Sequence, residues 1–540
     1  MSNVYVAGRI QCSSIALVML ACASTCHAQL GQNLFLGNAK ALSLGNAVTA
    51  DPPGIDAIHF NPAGLARLQG QQVMLKFVTA KVDVLGEFNS TPEYDCFFSD
   101  KCMSETYGLP RIQYDDPARN SKSRISNVAV YLPGVGAQEI SAIAAPLGGI
   151  SYSPAGGSLT FATAMYAPML LGYTREKNDP GRFYGTTFAL SRITYLSPSV
   201  GWRYSDTLQF GAGIGLSYVG AGFSMDYRTS NILVGGAAML LDNNDGTDNS
   251  NDLVKQVFQE GKFDPFDTLF VLSGNLHKNL SPTVNLGFLW EPTGWFTIGG
   301  VYQGEARDRL RGEYGVRINP NIINFIDNMP GALELLDLAE NHGDIRAKGH
   351  YDLTTPKHIS IGTSTQITQK WKLNIDWKWT ETSVWKDMGF IADDSVMLLR
   401  VLHVANINGI QPNAIIVPRN YKDVSNFAFG LEYTASDAFA LRLGYEPRKS
   451  GIPRDRLDFL IPLGDFDLYG AGLSYHPSAT QTAEVSLGYF KSDQHIKSGQ
   501  SRNGNDTTRF DNFVYNPSAG MDVRSILKGV LLEFSYQFRY

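Results

Sequence analysis

An alternation of apolar and polar residues recurs along most of this chain and constrains its fold more than any other feature. The final stretch, GVLLEFSYQFRY, places Leu532, Phe534, Tyr536, Phe538 and Tyr540 on one side and polar residues on the other. Side chains of a strand alternate between its two faces, so this pattern predicts strands with one apolar and one polar face. The same rhythm returns in FGAGIGLSY, LNIDWKW, FAFGLEY, YGAGLSY and VSLGYF. The aromatic face of each strand therefore needs a partner that covers it.

The composition excludes two classes of protein. The chain has 540 residues, of which 44% are hydrophobic and 18% are charged, and beyond the N-terminus it lacks the run of about 18 apolar residues that a spanning helix needs. A bundle of membrane helices is therefore excluded. The net charge of -6 and the lack of a basic stripe give no reason to expect nucleic acid as a partner.

The N-terminus has the features of an export signal. Arg9 precedes the apolar stretch IALVMLACAS, and CHA before Gln29 has small residues at the positions that signal peptidase requires, so residues 1–28 are predicted to be a signal peptide. A lipoprotein signal that uses Cys22 is the alternative. It is less favoured because Met, rather than Leu, stands at the first position of the lipobox.

Two cysteines, Cys96 and Cys102, remain after removal of the signal. An even pair in an exported chain most simply forms a disulfide, here one that closes a small loop. A metal site is disfavoured because no histidine lies nearby. The acidic run LDNNDGTDNSND lacks the spacing of a calcium-binding EF-hand, so neither a metal nor a cofactor is expected.

The alternating segments number about fourteen, and each is long enough to cross a bilayer at a tilt. Joints between them are alternately short and long, and aromatic residues cluster at segment ends. We therefore predict an all-β fold, a transmembrane antiparallel β-barrel over residues 72–540, whose aromatic faces are covered by lipid. An aromatic C-terminal residue is also a common signal for the barrel-assembly machinery of outer membranes. A soluble β-sandwich could show the same period and is the alternative.

Residues 29–71, called the hatch segment here, do not follow the strand period. The segment is rich in small residues and turns, and Asn61-Pro62-Ala63 is a good helix start because Asn caps and Pro suits the first helical position. Such a segment cannot satisfy its backbone inside lipid, so it must lie in the periplasm or in the barrel lumen. A barrel of about fourteen strands has room for a plug.

Several ordered stretches resemble the FadL/TodX family, whose members transport fatty acids and other hydrophobic compounds across the outer membranes of Gram-negative bacteria. The resemblance begins at GNAKALSLGNAVTADPPGIDAIHFNPAGLARL, where Asn61, Pro62 and Ala63 match the NPA signature of the family hatch, and continues to LRLGYEPRKSGIPRDRLDFLIPLGDFDLYGAGLSY. It implies a monomeric fourteen-stranded barrel closed by a hatch. Outer loops would capture a hydrophobic small molecule such as a long-chain fatty acid, which would pass an internal pocket and leave sideways into outer-membrane lipid.

The resemblance places the lateral opening at a kinked third strand, which corresponds to SLTFATAMYAPMLLGYT. Tyr166, Ala167, Pro168 and Met169 lie where the kink is expected, and Pro168 has no N–H to give to a neighbouring strand. A bulge at the barrel rim is the alternative interpretation.

Two long connections are predicted capture loops, one from about Ser230 to Lys278 and one from Asn319. In the second, Phe325, Leu335 and Leu336 are among apolar residues at helical spacing, which must cover either each other or a ligand.

One departure from the family pattern concerns the ligand. Fatty-acid members hold the carboxylate with two basic residues, and these positions fall near Met225 and Val417, neither of which is basic. Arg228 and Arg419 could substitute after a shift of register. A fatty acid and an uncharged hydrocarbon both remain possible ligands.

The sequence contains no nucleophile elbow or cluster of metal ligands, so an enzyme is not predicted and an outer-membrane lipase is a poor alternative. A general diffusion porin or a hydrocarbon-specific channel is the better alternative to a fatty-acid transporter.

Overall fold

The structure is a computed structural model, and it describes residues 36–92, 94, 116–125, 127–140, 143–228, 266–320, 344–396, 399, 410–506 and 517–540. Several predictions fall outside these residues: the signal peptide, the disulfide between Cys96 and Cys102, and the apolar loop residues Phe325, Leu335 and Leu336.

Strands dominate the described part of the chain. Their bounds are β1 Gly70–Asn89, β2 Ser121–Ile125, β3 Val128–Leu132, β4 Gly136–Ile140, β5 Ile143–Ser153, β6 Leu159–Thr174, β7 Thr187–Leu196, β8 Ser199–Arg203, β9 Leu208–Tyr227, β10 Phe270–Thr293, β11 Phe296–Gln303, β12 Ala306–Ile318, β13 Asp344–Thr355, β14 His358–Gln366, β15 Trp371–Thr380, β16 Asp387–Ala392, β17 Ile410–Gln411, β18 Ala414–Pro418, β19 Val424–Ser436, β20 Phe439–Arg448, β21 Phe466–Ser478, β22 Gln481–Ile496 and β23 Asp522–Arg539.

The strands form a closed antiparallel barrel. The first and last strands, β1 and β23, pair from Gln72↔Arg539 to Asn89↔Asp522, so the sheet has no free edge at its ends. Some spanning strands consist of two consecutive pieces with separate labels, and the barrel has 14 spanning strands in all. The predicted barrel is therefore confirmed.

The last strand shows which face points outward. Leu532 and Phe534 are each 46% exposed, whereas Glu533 between them is 2% exposed. The aromatic face is thus the outer face of the barrel, and the polar face lines the lumen, as a barrel in lipid requires.

The helices are short. They are α1 Ala39–Ser43 and α2 Ala57–Phe60, with 3-10 helices at Gly54–Asp56, Pro62–Arg67, Pro180–Tyr184, Thr382–Val384 and Arg454–Arg456. Among the described residues, no helix has both the length and the apolar character to span a membrane.

The described part of the hatch segment contacts strands on opposite sides of the barrel. A Cβ at Gly211 of β9 would lie 2.1 Å from the backbone of Pro62, one at Gly299 of β11 would lie 2.4 Å from that of Thr49, and one at Gly470 of β21 would lie 2.0 Å from that of Leu42. Glycine is needed at such positions because backbone approaches backbone. The described part of the hatch segment therefore packs closely against β9, β11 and β21.

The second spanning strand is interrupted. Its two pieces, β2 and β5, both pair with β1. The ladder with β2 covers Val84 to Phe88 of β1, and the ladder with β5 covers Gly70 to Ala80. The described residues between them, 127–140, do not pair with β1, and β3 and β4 in this stretch form a two-stranded sheet of their own. This hairpin was not predicted from the sequence.

The predicted end of the first long loop, near Lys278, is wrong. Phe270 to Lys278 already pair in register with Tyr227 to Val219 of β9, so β10 begins at Phe270.

Candidate functional site

The NPA residues fasten the hatch segment to itself and to the wall. Asn61 is fully buried, and its Oδ1 accepts a hydrogen bond from the Ala63 amide at 3.2 Å, which caps the 3-10 helix that begins at Pro62. Its Nδ2 donates to the carbonyl of Thr49 at 2.8 Å and to that of Phe288 in β10 at 3.0 Å. One side chain thus joins two turns of the hatch segment to the barrel.

A buried ion pair joins the hatch segment to β1. Lys76 Nζ lies 2.8 Å and 2.9 Å from the two carboxylate oxygens of Asp56, and it also donates to the carbonyl of Leu36 at 3.1 Å. Asn38 donates a further hydrogen bond to Asp56. Both charges are shielded from water, since Lys76 and Asp56 are each 3% exposed.

A second charged contact lies on the opposite side of the lumen. Asp51 of the hatch segment pairs with Lys40 at 2.9 Å and with Lys372 of β15 at 3.3 Å. Burial alone would raise the pKa of Asp51, but the two lysines more than offset it and hold this pKa well below its usual range. The carboxylate therefore stays charged and keeps both partners.

The third spanning strand, β6, has a shift in its pairing register where the sequence predicts a kink. Tyr166 pairs with Thr194 and Met169 with Arg192, so three steps along β6 oppose two steps along β7. This is a β-bulge with one extra residue, and it lies within the strand rather than at the barrel rim.

The ladder on the other side of β6 stops at the same place. The pairing between β5 and β6 ends at Gly148↔Met165, and no further pair of these two strands occurs among the described residues. Both strands contain a proline at this level, Pro146 in β5 and Pro168 in β6, and proline has no N–H for a ladder bond. The wall is therefore not continuously hydrogen-bonded beside β6.

A small polar cavity adjoins the bulge. Tyr166, Pro168, Met169 and His59 of the hatch segment line it together with Arg192, whose guanidinium pairs with Asp308. His59 packs against the Tyr166 ring at a centroid distance of 5.0 Å. Burial, with a smaller contribution from Lys76, lowers the pKa of His59 to about 3, so this histidine is neutral at physiological pH.

A larger cavity of about 130 Å³ lies in the lumen and is almost wholly apolar. Its lining side chains include Phe188, Leu190, Phe223, Met225, Leu272, Leu353, Met388, Phe390, Ile415 and Val417. Arg419 is the single charged residue among those that line it.

Both arginines considered as carboxylate ligands are paired with acids. The Arg419 guanidinium donates through Nη1 to Asp458 Oδ2, and the two residues are 2% and 5% exposed. Arg228 lies 2.6 Å and 3.0 Å from the two carboxylate oxygens of Asp116 and also donates to the carbonyl of Pro517. Arg228 does not line the apolar cavity.

Within the described ranges no group of three or more histidine, cysteine, aspartate or glutamate side chains could hold a metal ion.

Comparison with known proteins decides the family. The family described as outer membrane protein transport protein (OMPP1/FadL/TodX) matches residues 17–540. The chain belongs to this family. No curated protein matches the chain significantly.

Solved structures of FadL/TodX transporters share the fold. A Pseudomonas aeruginosa FadL homologue is 18% identical with a TM-score of 0.62, and the match covers 95% of this chain and 99% of that one. The Ralstonia pickettii toluene transporter TbuX is 14% identical with a TM-score of 0.56. The Pseudomonas putida toluene transporter TodX is 12% identical with a TM-score of 0.57. Each of these two matches covers 94% of this chain and 99% of the other.

Membership of the FadL/TodX family and the closed barrel confirm the predicted location in the outer membrane of a Gram-negative bacterium. The family transports hydrophobic compounds, and its members are transport channels rather than enzymes.

Sequence reasoning missed the charged contacts between the hatch segment and the wall. The signal available was the polar face of the strands, where Lys76, Lys372 and Asp376 stand at lumen positions. Their partners in the hatch segment depend on the three-dimensional arrangement, and no spacing in the sequence reveals them.

Proposed function

We propose that this FadL/TodX member takes up uncharged apolar small molecules across the outer membrane. The observation that carries the proposal is the apolar cavity in the lumen, whose single charged lining residue, Arg419, is already paired with Asp458. Ligand sites of this kind are mostly apolar, with a few polar groups that fix orientation.

The charge balance of the cavity favours an uncharged ligand over a fatty acid. Met225 and Val417, where the family resemblance places the basic pair of fatty-acid members, line the cavity with apolar side chains. A fatty-acid carboxylate in this cavity would lose its contact with water. The positive charge of Arg419 could not compensate it, because that charge is already neutralised by Asp458, and an uncompensated buried charge is costly.

The proposed route has four parts. The outer loops, including Phe325, Leu335 and Leu336, collect the ligand, and the cavity receives it beside Arg419. Movement of the hatch segment around Asn61, Pro62 and Ala63 then lets the ligand pass. It leaves sideways into membrane lipid beside β6, where the ladder with β5 ends at the bulge between Tyr166 and Met169. The protein works as a monomer, Cys96 and Cys102 stabilise an outer loop as a disulfide, and the barrel-assembly machinery inserts the chain.

Uptake measurements test this function. The chain is expressed in a Gram-negative strain that lacks its own transporter of this family, and uptake of radiolabelled toluene, naphthalene and palmitate is measured. We expect faster uptake of the two hydrocarbons than in cells with an empty vector. Unchanged hydrocarbon uptake would refute the proposal, and a steady open-pore current in planar bilayers would identify a general diffusion porin instead.

The ligand class gives a separate prediction through Asp458→Asn. This change removes the negative charge beside Arg419 while leaving an oxygen that can still accept from the Leu460 and Ile461 amides, both at 3.1 Å from Oδ1. The freed guanidinium should then attract a carboxylate, since charge-assisted bonds are about twice as strong as neutral ones. We expect tighter palmitate binding and unchanged naphthalene binding, measured by calorimetry on purified protein.

Asp352→Asn is the matched control, because Asp352 forms an exposed pair with Arg309 on the barrel and should leave both affinities unchanged. Tight palmitate binding by the unaltered protein would contradict the assignment of an uncharged ligand.

A further inference from the structure

The hairpin β3–β4 lies on the outer face of the barrel. Along β9, Phe210 and Ile214 point outward and are 39% and 49% exposed, whereas Ala221 and Phe223 line the inner cavity. The alternation is unbroken along β9, because the two register shifts in its ladders place the extra residues on the partner strands β7 and β10 and none on β9. Tyr218, on the outward face, should therefore be exposed, yet it is only 6% exposed.

The hairpin is what covers this part of β9. The Tyr131 ring stacks on that of Tyr218 at 6.3 Å, and a Cβ at Gly220 would lie 2.0 Å from Cδ1 of Tyr131. A Cβ at Gly222 would lie 2.9 Å from that of Ala137. Gly220 and Gly222, called the glycine bed here, thus leave the space on the outer face of β9 that the hairpin occupies.

The hairpin crosses the interrupted part of the wall. Its stem meets the end of β6 at a single bridge, Asn127↔Thr174, while the ladder between β5 and β6 ends at Met165. The stretch of β6 from Tyr166 to Tyr173 is therefore paired with β7 along one edge, and along its other edge the described residues form no ladder with β5. The hairpin lies across the outer face of this stretch. A Cβ at Gly172 would lie 2.3 Å from the carbonyl of Ala129, which shows how closely the hairpin crosses β6.

A cavity of about 70 Å³ lies at this interruption. Residues from both faces of β6 line it: Tyr173 pairs with inward-facing Phe188, and Leu170 pairs with Ser191, whose hydroxyl accepts from the Tyr131 amide outside the barrel. The remaining lining comes from the inner wall and the hairpin stem and is almost entirely apolar, with Val82, Val84, Ile125, Val128, Leu463, Phe490 and Leu527.

Hydrogen bonds of side chains attach the hairpin to the barrel wall around Tyr131 and at its stem. Tyr131 donates from its hydroxyl to Asn275 of β10 and from its amide to Ser191 at 2.9 Å. Glu139 accepts from Asn127 at 2.6 Å and from Thr174 at 2.8 Å. Because β3 and β4 form a sheet separate from the barrel, the hairpin can lift without breaking a ladder of the wall.

We propose that the hairpin β3–β4 is a gate over the outer end of this cavity, at the lateral exit already proposed above for an uncharged apolar ligand. The proposal rests on the transport function proposed above and adds the element that separates the exit from membrane lipid. A closed hairpin keeps the wall sealed, and a lifted hairpin connects the apolar cavity with lipid.

A reversible disulfide tests the gate. In Ala137→Cys/Gly222→Cys the two Cβ atoms start 2.9 Å apart, and a shift of about 1 Å brings them to the spacing of a disulfide. We expect naphthalene uptake to fall to the level of cells without the protein when the pair is oxidised, and to return on reduction. The control is Ala471→Cys/Leu487→Cys, which joins two paired, outward-facing residues of β21 and β22 far from the hairpin and should not respond.

The outcomes separate the gate from transport itself. Undiminished uptake by a variant whose cross-link is shown complete by mass spectrometry would overturn the gate. Failure of the unaltered protein to take up naphthalene would instead refute the proposed function. In that case cysteine labelling still tests the movement of the hairpin directly. Leu170→Cys, buried under the hairpin at a position 7% exposed, should react faster with a lipid-soluble maleimide when Tyr131→Ala removes the main anchor. Equal labelling rates with and without Tyr131→Ala would overturn the proposal.

Discussion

Deletion of Pro168 is expected to abolish delivery of ligand while leaving a folded barrel. Three steps along β6 from Tyr166 to Met169 oppose two steps along β7, so removal of one residue makes the two ladders match. Bulges bend a strand, and the straightened β6 would then lie along β5 and pair with it beyond Met165. The interruption that we propose as the exit of the ligand would be closed.

The expected loss is large because the proposed lateral exit keeps the ligand out of water. Each methylene group that leaves an apolar site for water costs about 0.8 kcal/mol, so passage into the periplasm is unfavourable for a hydrocarbon. Movement from the lumen through an apolar cavity into lipid avoids this cost. Hydrocarbon uptake by cells should therefore fall to background, while binding to the purified protein persists.

A second bulge supplies the control for this deletion. In β19 an extra residue, Ala435, lies between Thr434 and Ser436 in the pairing with β20, away from β6. Deletion of Ala435 should also insert and show the heat-dependent shift in gels that folded barrels show, but with uptake retained. Uptake at the unaltered rate from the Pro168 deletion, with continuous pairing of β5 and β6 shown by hydrogen exchange, would exclude lateral exit.

The barrel could be predicted from the sequence because each strand meets lipid on one face and the lumen on the other. The adjacent residues Leu532 and Glu533 show this difference, because Leu532 is exposed on the outer face and Glu533 is buried on the inner face. The kink could be predicted because Pro168 acts locally, through the loss of its own N–H. Signals of this kind need no knowledge of distant residues.

The remaining parts of the site depend on contacts between residues far apart in sequence. The sequence does not reveal the partner of Arg419, because only the fold brings Asp458 beside it. The turn signal LPGVG could have suggested the hairpin, but its position on the outer face depends on the glycine bed at Gly220 and Gly222. Neither the ion pair nor the hairpin position follows from a local pattern.

Lys76→Met is expected to release the hatch segment from the wall. Asp56 would remain buried without its cation, and removal of one partner of a buried pair typically costs about 3–5 kcal/mol. The barrel should survive, because β1 keeps its ladders to β5 and β23. Movement of the hatch segment would let water reach Asp56 and so remove the cost of burying its unpaired charge. We expect a stable open-pore current in planar bilayers where the unaltered protein shows little.

Two variants decide whether the buried charge is the cause of this current. Lys76→Met/Asp56→Asn removes both charges and keeps a side chain that can bond with Asn38, so the current should return toward that of the unaltered protein. Arg309→Met breaks an exposed ion pair with Asp352 and should leave the pore closed. A closed pore in Lys76→Met would show that this ion pair does not hold the hatch segment. An open pore in both Lys76 variants would show instead that the lysine acts through its bond to the Leu36 carbonyl rather than through the charge of Asp56.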